Sequence, residues 1–140
     1  MHPVSIRFQD AAVAKQLQAE AAARRKSTSS LAEELIDEGL RTRRHPLIGF
    51  RDGAAGRRAY VGGGPDVWEV IGDLLGGDVP PAQRVQRAVE LFGLQRVQVQ
   101  AALSYYAEYT DEINRLVEAN NRAATLAELL WRRGQELLST

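Results

Sequence analysis

Apolar and polar residues alternate at the start of the chain and then take up helical spacing. Val4, Ile6 and Phe8 alternate with polar neighbours, a pattern that predicts a short β-strand with one apolar face. The next stretch, from residue 11 to about residue 25, is rich in alanine and other helix-favouring residues, and Asp10 is a suitable N-cap for it. The sequence therefore predicts a strand followed at once by a helix.

A second helix is predicted after a run of four hydroxyl residues at positions 27–30. Ser30 and Glu33 have the spacing of a capping box, and apolar residues recur behind them at helical intervals. A basic cluster at positions 41–44 suits the C-terminal end of this helix, where cations are favoured, and Pro46 stops it. The first 44 residues therefore form one predicted unit.

Positions 47–64 are rich in glycine, and the helical spacing returns after them. Two short apolar stretches flank Asp52-Gly53, a pair that favours tight turns, so a small β-hairpin is predicted there. Three amphipathic helices are predicted next, beginning near Val67, after Pro80-Pro81 and near Gln95. The third is expected to continue until Asn120-Asn121 interrupts it, and a last helix is expected to run to about residue 138.

The amino-acid composition is typical of a folded protein and excludes sites that need cysteine. The chain is 44% hydrophobic and 26% charged, which is typical of folded domains, and it has no cysteine, so disulfides and cysteine-ligated zinc are excluded. No apolar run approaches the roughly 20 residues of a membrane span. We therefore expect a soluble, cytoplasmic protein with no membrane partner.

No catalytic constellation is recognisable in the sequence. The glycine run at positions 62–64 lacks the lysine and hydroxyl residue of a phosphate-binding loop, and His2 and His45 have no catalytic pattern around them. A metal held by His45 with Asp52 is the weakest hypothesis considered. We expect no enzyme activity, no cofactor and no metal.

Charge is distributed unevenly along a chain whose net charge is zero. Residues 1–64 hold 11 Lys and Arg against 7 Asp and Glu, a net charge of +4, and the remainder holds 7 against 11, a net charge of −4. A basic front half suits a polyanion, and an acidic rear half suits a basic partner. The same distribution is also compatible with an ordinary solvated surface.

The order of one strand and two helices in the first 44 residues resembles the ribbon-helix-helix DNA-binding domain. The resemblance implies that two chains pair their strands into an antiparallel ribbon that enters the major groove, with four helices as the core. The need for a partner also follows from the residues, since the Val4, Ile6 and Phe8 face has nowhere to pack in so small a monomer. On the ribbon, Ser5 and Arg7 would point to base edges, with Pro3 or Gln9 beside them.

The polar start of the second helix is a candidate phosphate-binding site. Backbone N–H groups and the positive end of the helix dipole attract phosphate, and Lys26, Ser27, Ser29 and Ser30 would fix the register on DNA rather than read its sequence. The alternative is that the serines only cap the helix and that Arg7 is a solvated residue.

Residues 46–109 resemble an uncharacterised family of small homeodomain-like domains found in bacterial antitoxins. The resemblance rests on Val67-Trp68-Glu69-Val70-Ile71, on Gly76-Gly77 and on the segment from Val99 to Tyr106. It implies a β-forming start, a compact three-helix unit, and a toxin of the PIN-like ribonuclease fold as partner. Four residues near the start of the third helix could read bases, but we favour the interpretation that they form a solvated helix face. These residues are Gln95, Arg96, Gln98 and Gln100. Three tyrosines, at positions 105, 106 and 109, are expected to pack in the core or an interface.

The last segment carries the hypothesis of a protein partner. Its leucines form an apolar stripe beside Trp and Arg, residue types that are enriched in binding hot spots. The candidate toxin-binding residues are Leu126, Leu129, Leu130, Trp131, Arg132, Arg133 and Leu137. The antitoxin resemblance implies that Arg132 or Arg133 could enter the acidic, metal-binding site of the nuclease. The alternative is a helix that packs on the protein's own core or on a second copy.

These patterns predict a mainly α fold in three parts. Residues 1–44 are the ribbon-helix-helix domain, an obligate dimer; residues 45–119 are a hairpin with a three-helix homeodomain-like unit; residues 120–140 are a C-terminal helix. The predicted function is that of a type II (VapB-like) antitoxin that neutralises a PIN-like ribonuclease and represses its own operon by binding operator DNA, as a homodimer or higher even oligomer. The alternatives are a free-standing dimeric transcriptional regulator and an assembly protein that does not bind DNA.

Overall fold

The computed structural model describes residues 2–54 and 56–139. Within that part of the chain there are six α-helices and one two-stranded antiparallel sheet, so the mainly α fold is confirmed. The chain divides into two compact units, Met1–Arg43 and Arg44–Thr140, which are described separately below.

The first unit contains α1 (Ala11–Ala23) and most of α2 (Thr28–Arg44). Asp10 caps α1, since its Oδ1 accepts a hydrogen bond of 2.9 Å from the backbone N–H of Ala12. Residues 2–8 have no regular secondary structure and are exposed. The strand predicted at positions 4–8 is therefore not formed in the single chain. A lone strand has no backbone partner, and the expected ribbon needs a second chain to supply one.

The turn between α1 and α2 is closed by backbone hydrogen bonds around Arg25. Arg25 has a φ of 55°, in the left-handed region, and the N–H of Lys26 donates to the carbonyl of Ala21 at 2.9 Å. The N-cap of α2 is Ser27, whose Oγ accepts from the N–H of Ser30 at 3.0 Å. The capping box predicted to start at Ser30 is therefore wrong: the hydroxyl three residues earlier takes that role and starts the helix at Thr28.

The second unit begins with the predicted hairpin, which is confirmed. Strand β1 (Ile48–Gly53) pairs with β2 (Gly56–Val61), with Ile48 opposite Val61 and Phe50 opposite Ala59. Those two pairs lie on one face of the hairpin, because side chains alternate along a strand, and that face joins the core.

Four helices follow the hairpin in the second unit. They are α3 (Val67–Leu75), α4 (Pro81–Phe92), α5 (Arg96–Glu108) and α6 (Thr110–Leu138). The predicted spacing of α3 is confirmed by burial of its apolar face, and Gly93 ends α4 in the left-handed conformation at a φ of 65°. The core residues shared by the hairpin and helices include Ile48, Val61, Val67, Val70, Ile71, Val99, Ala102, Tyr105 and Ile113.

The predicted break at Asn120-Asn121 is wrong, because the chain breaks at Tyr109 instead. Tyr109 leaves the helical conformation at φ −120° and ψ 45°, and α6 then runs unbroken through both asparagines. This change of direction allows Tyr105 on α5 and Ile113 on α6 to be fully buried in the same core. Asparagine lowers helix propensity only slightly, so two of them do not stop a helix with good helix formers on both sides.

Candidate nucleic-acid and partner interfaces

One side of the first unit is an apolar groove of about 930 Å³. Ile6, Leu35 and Ile36 each expose about half of their surface in it, while Ala21 and Leu31 are the buried apolar residues of the unit's described part. The full lining is Ile6, Phe8, Val13, Gln16, Leu17, Ala19, Glu20, Ala23, Ala32, Leu35 and Ile36. We define this surface as the N-terminal groove. The described part of the unit therefore buries few of its apolar side chains and leaves most of them exposed in this groove.

The residues predicted to face bases, Ser5 and Arg7, and their neighbour Pro3 are not part of the groove lining. Pro3, Ser5 and Arg7 are exposed, and they alternate in sequence with Ile6 and with Phe8, which line the groove. Burial of the groove residues against a second copy would therefore leave the alternate side chains pointing outward, as an extended segment requires.

Residues predicted to bind phosphate lie at the turn before α2 and in its first turn. Lys26 forms an ion pair with Glu34 at 2.7 Å, and Ser27 donates from its hydroxyl to Oγ of Ser30 at 2.8 Å. Ser29 is exposed in the first turn of the helix. The serines thus have a capping role, and Lys26 would have to leave Glu34 in order to contact DNA.

A buried carboxylate joins the hairpin to α3, and sequence analysis missed it. Asp66 is 2% exposed, and its Oδ1 accepts hydrogen bonds from Nε–H and Nη2–H of Arg51 at 2.9 and 2.8 Å. Nε1–H of Trp68 donates to Oδ2 at 3.1 Å. Nε of Arg58 is 3.0 Å from Oδ2, close enough for an ion pair but not aligned for a hydrogen bond. Two hairpin arginines are therefore used inside the unit rather than offered to a nucleic acid.

A sequence signal for this cluster was present. Asp66 precedes the apolar run of α3 and Glu69 follows three residues later, which is capping-box spacing, and the N–H of Asp66 donates to Oε1 of Glu69 at 3.3 Å. The partners Arg51 and Arg58 could not be found in the same way, because they lie on a different element.

A second polar cluster surrounds Glu108 at the end of α5. Nε2 of His45 lies 2.6 Å and Nη2 of Arg44 lies 2.9 Å from its carboxylate oxygens, and Arg44 also donates to the hydroxyl of Tyr109. The hydrogen bond with His45 lowers the pKa of Glu108, partial burial opposes that shift, and the charge of Arg44 reinforces it. His45 is therefore paired with a carboxylate on α5.

The start of α5 is held by contacts within the second unit. The N–H of Gln95 donates to Oε1 of Gln98 at 2.7 Å, and Nε2–H of Gln98 donates to the carbonyl of Gly62 at 2.8 Å. Arg96 donates to Gln86 at 3.1 Å. Two of the four side chains that a recognition helix would use, those of Arg96 and Gln98, are thus engaged. Tyr105 is fully buried, which confirms its expected place in the core.

The last part of α6 is an exposed helix. Every residue from position 118 to position 138 is exposed, and these positions contain all seven predicted toxin-binding residues. Leu126 and Leu130 expose 55% and 56% of their surface and Trp131 exposes 65%. Arg132 donates to Glu128 at 2.5 Å. We call positions 118–138 the exposed part of α6.

No protein family model, curated protein or solved structure matches this chain. In the described part of the chain, no three His, Cys, Asp or Glu side chains are grouped to hold a metal ion. None of the helices in that part is long and apolar enough to cross a membrane.

Proposed function

We propose that this protein is a dimeric DNA-binding antitoxin, in which the first unit binds operator DNA and the exposed part of α6 binds the toxin. The observation that carries the proposal is the pair of exposed apolar surfaces. The N-terminal groove is the proposed contact with a second copy, and the exposed part of α6 presents Leu126, Leu130 and Trp131, each more than half exposed.

A second copy of this chain is the proposed occupant of the N-terminal groove. Two copies would pair residues 4–8 in antiparallel fashion, place Ile6 and Phe8 over the groove and leave Ser5 and Arg7 outward. Arg7 would then contact a guanine edge and the start of α2 would contact phosphate, with Ser27, Ser29 and Ser30 setting the register. The first unit, residues 1–43, holds 7 Lys and Arg against 6 Asp and Glu, a net charge of +1, so the proposed contact with DNA depends on Arg7 and the start of α2 rather than on overall charge.

The toxin is proposed to be a ribonuclease with a PIN-like fold. This part of the proposal rests on the resemblance of residues 46–109 to antitoxin domains and on the exposed leucines, Trp131 and arginines of α6. Such a partner has an acidic metal-binding site, which a single arginine of α6 could contact.

The DNA-binding part is tested by mobility shift on the DNA upstream of the gene, at two salt concentrations. Arg7→Ala is compared with the wild type and with Lys15→Ala, which removes the same charge from the exposed side of α1. We expect Arg7→Ala to weaken specific binding roughly tenfold, because a bidentate arginine contact contributes about 1–3 kcal/mol of discrimination, and Lys15→Ala to change it little. If the wild type does not shift this DNA, the operator-binding function is wrong.

The toxin-binding part is tested by copurification with the product of the adjacent gene. If the wild type binds operator DNA but no adjacent product, the protein is a free-standing dimeric regulator instead. If it does neither, the remaining alternative is an assembly protein that does not bind DNA.

A further inference from the structure

Helix α2 keeps two large apolar side chains exposed on one side. Ile36 and Leu40 expose 46% and 55% of their surface, and they are neighbours on the helix because they lie four residues apart. Ile36 also lines the N-terminal groove, whereas Leu40 is outside the groove lining. The exposed apolar surface therefore continues along α2 beyond the groove. We call the side of α2 centred between these two residues the Ile36–Leu40 face.

Charged residues are segregated along α2. All of its carboxylates precede Gly39 and all of its arginines follow it, in the order Glu33, Glu34, Asp37, Glu38, Arg41, Arg43, Arg44. Such a helix is complementary to an antiparallel copy of itself, because the acidic part of each lies against the basic part of the other. In a parallel pair, like charges would meet.

Two of these charged side chains border the Ile36–Leu40 face and are not used within the chain. At about 100° per residue, Glu33 and Arg43 each lie about 40° from the centre of the face, on opposite sides of it. Neither side chain forms an ion pair or a hydrogen bond with any residue in the ranges 2–54 and 56–139. Other charged residues of α2 do have partners: Glu34 with Lys26, Asp37 with Arg41, and Arg44 with Glu108.

One antiparallel register pairs both the apolar and the charged residues of the face. In a two-fold pair centred on position 38, residues equally far before and after that position lie opposite each other. Ile36 and Leu40 are each two residues from position 38, and Glu33 and Arg43 are each five residues from it. Glu38 itself lies about 180° from the centre of the face, so its carboxylate does not meet its own copy.

We propose that two copies of this chain pack their α2 helices antiparallel, with Ile36 against Leu40 of the second copy and two flanking ion pairs between Glu33 and Arg43. This inference rests on the proposed function, which places a second copy on the N-terminal groove, and it extends that interface along α2. A second copy supplies both complementary charges in a single register, whereas a polyanion would be repelled by Glu33.

A charge-reversal cycle tests the ion pairs, with the dissociation constant of the full-length dimer measured by sedimentation at low salt. We expect Glu33→Arg and Arg43→Glu each to raise this constant on the order of tenfold, because each substitution sets like charges against each other at two symmetric places. The double variant re-forms both pairs in reverse and should return to within about threefold of the wild type.

Lys15→Glu is the matched control for the reversals. It makes the same charge change as Arg43→Glu on an exposed residue of α1 that is outside the groove lining, and it should also stay within about threefold of the wild type. Circular dichroism checks that all variants keep the same helix content.

Cross-linking tests the register without relying on binding energy. The chain has no cysteine, so a short bifunctional maleimide joins only introduced thiols. We expect it to join Glu33→Cys protein to Arg43→Cys protein when the two are mixed, and to join neither variant to itself. In the antiparallel pair, two copies of position 33 are about 15 Å apart along the helices, as are two copies of position 43.

The outcomes separate this inference from the proposed dimer. If the wild type is dimeric but the single reversals have no effect, or the double variant stays as weak as the single ones, the α2 pairing is overturned while the dimer stands. Cross-linking of each cysteine variant to itself would likewise overturn the antiparallel register. If the wild type is monomeric, the proposed dimer and this inference both fail.

Discussion

Arg51 on the hairpin holds the buried carboxylate of Asp66 at the start of α3 through two hydrogen bonds of 2.9 and 2.8 Å to the same oxygen. The guanidinium carbon of Arg51 also lies 4.4 Å from the centre of the Tyr60 ring, so the arginine is fixed on two sides. The contact ties β1 to the start of α3.

Removing the charge of Asp66 should destabilise the second unit. Asp66→Asn leaves two guanidinium groups beside a neutral amide, and breaking a buried ion pair costs about 3 kcal/mol. The free energy of unfolding can be followed in urea by fluorescence of Trp68, in a Trp131→Phe background that removes the other tryptophan. Asp52→Asn, on the same hairpin but exposed, should change the free energy by less than about 0.5 kcal/mol. Equal effects of the two substitutions would contradict the role given to Asp66.

Glycine at position 25 should stabilise the first unit. Arg25 adopts a φ of 55°, which costs an L-residue with a side chain about 1 kcal/mol more than glycine. We expect Arg25→Gly to raise the thermal midpoint at fixed protein concentration, since assembly makes the midpoint concentration-dependent. Arg25→Ala keeps the backbone penalty and should give no comparable rise, so a matching rise would rule out this explanation.

A charge in the N-terminal groove should dissociate the proposed dimer. Leu35→Asp places a carboxylate in the apolar surface that a second copy would cover, and we expect the molar mass by light scattering to fall towards the 15.5 kDa of one chain. Gln18→Asp makes a similar change on an exposed residue of α1 outside the groove lining and should leave the mass unchanged. A dimer that survives Leu35→Asp would show that the copies meet elsewhere.

Acid should remove the stabilisation contributed by Glu108. Its pKa lies below the ordinary glutamate value of 4.5 in the folded protein, so folding favours the charged form. This stabilisation is complete above the unfolded pKa and is lost as the pH falls through the lower folded pKa. The difference in unfolding free energy between wild type and Glu108→Gln should therefore shrink as the pH is lowered below about 4.5. The matching difference for Glu118→Gln, an exposed residue of α6, should stay close to zero throughout.

Local spacing was sufficient to predict most elements of this fold. Val67, Val70, Ile71 and Leu74 define the buried face of α3 within nine residues, and Asp10 and Gly93 mark helix ends by their own side-chain or backbone chemistry. The same holds for the candidate binding residues of α6, since a helix with leucines and arginines at these intervals can be recognised without knowing what surrounds it.

Long-range contacts decided the remaining features. The chain bends at Tyr109, where the hydroxyl of Thr110 donates to the carbonyl of Tyr106, and the bend brings Tyr105 and Ile113 into one core. The pairing of Asp66 with Arg51 joins positions fifteen residues apart. The sequence by itself determined where the helices lie and which of their faces are apolar, because those depend on neighbours along the chain. Only the tertiary structure decided which apolar faces are buried within their unit, because burial depends on residues distant in sequence. The N-terminal groove and the exposed part of α6 are two apolar surfaces that stay exposed.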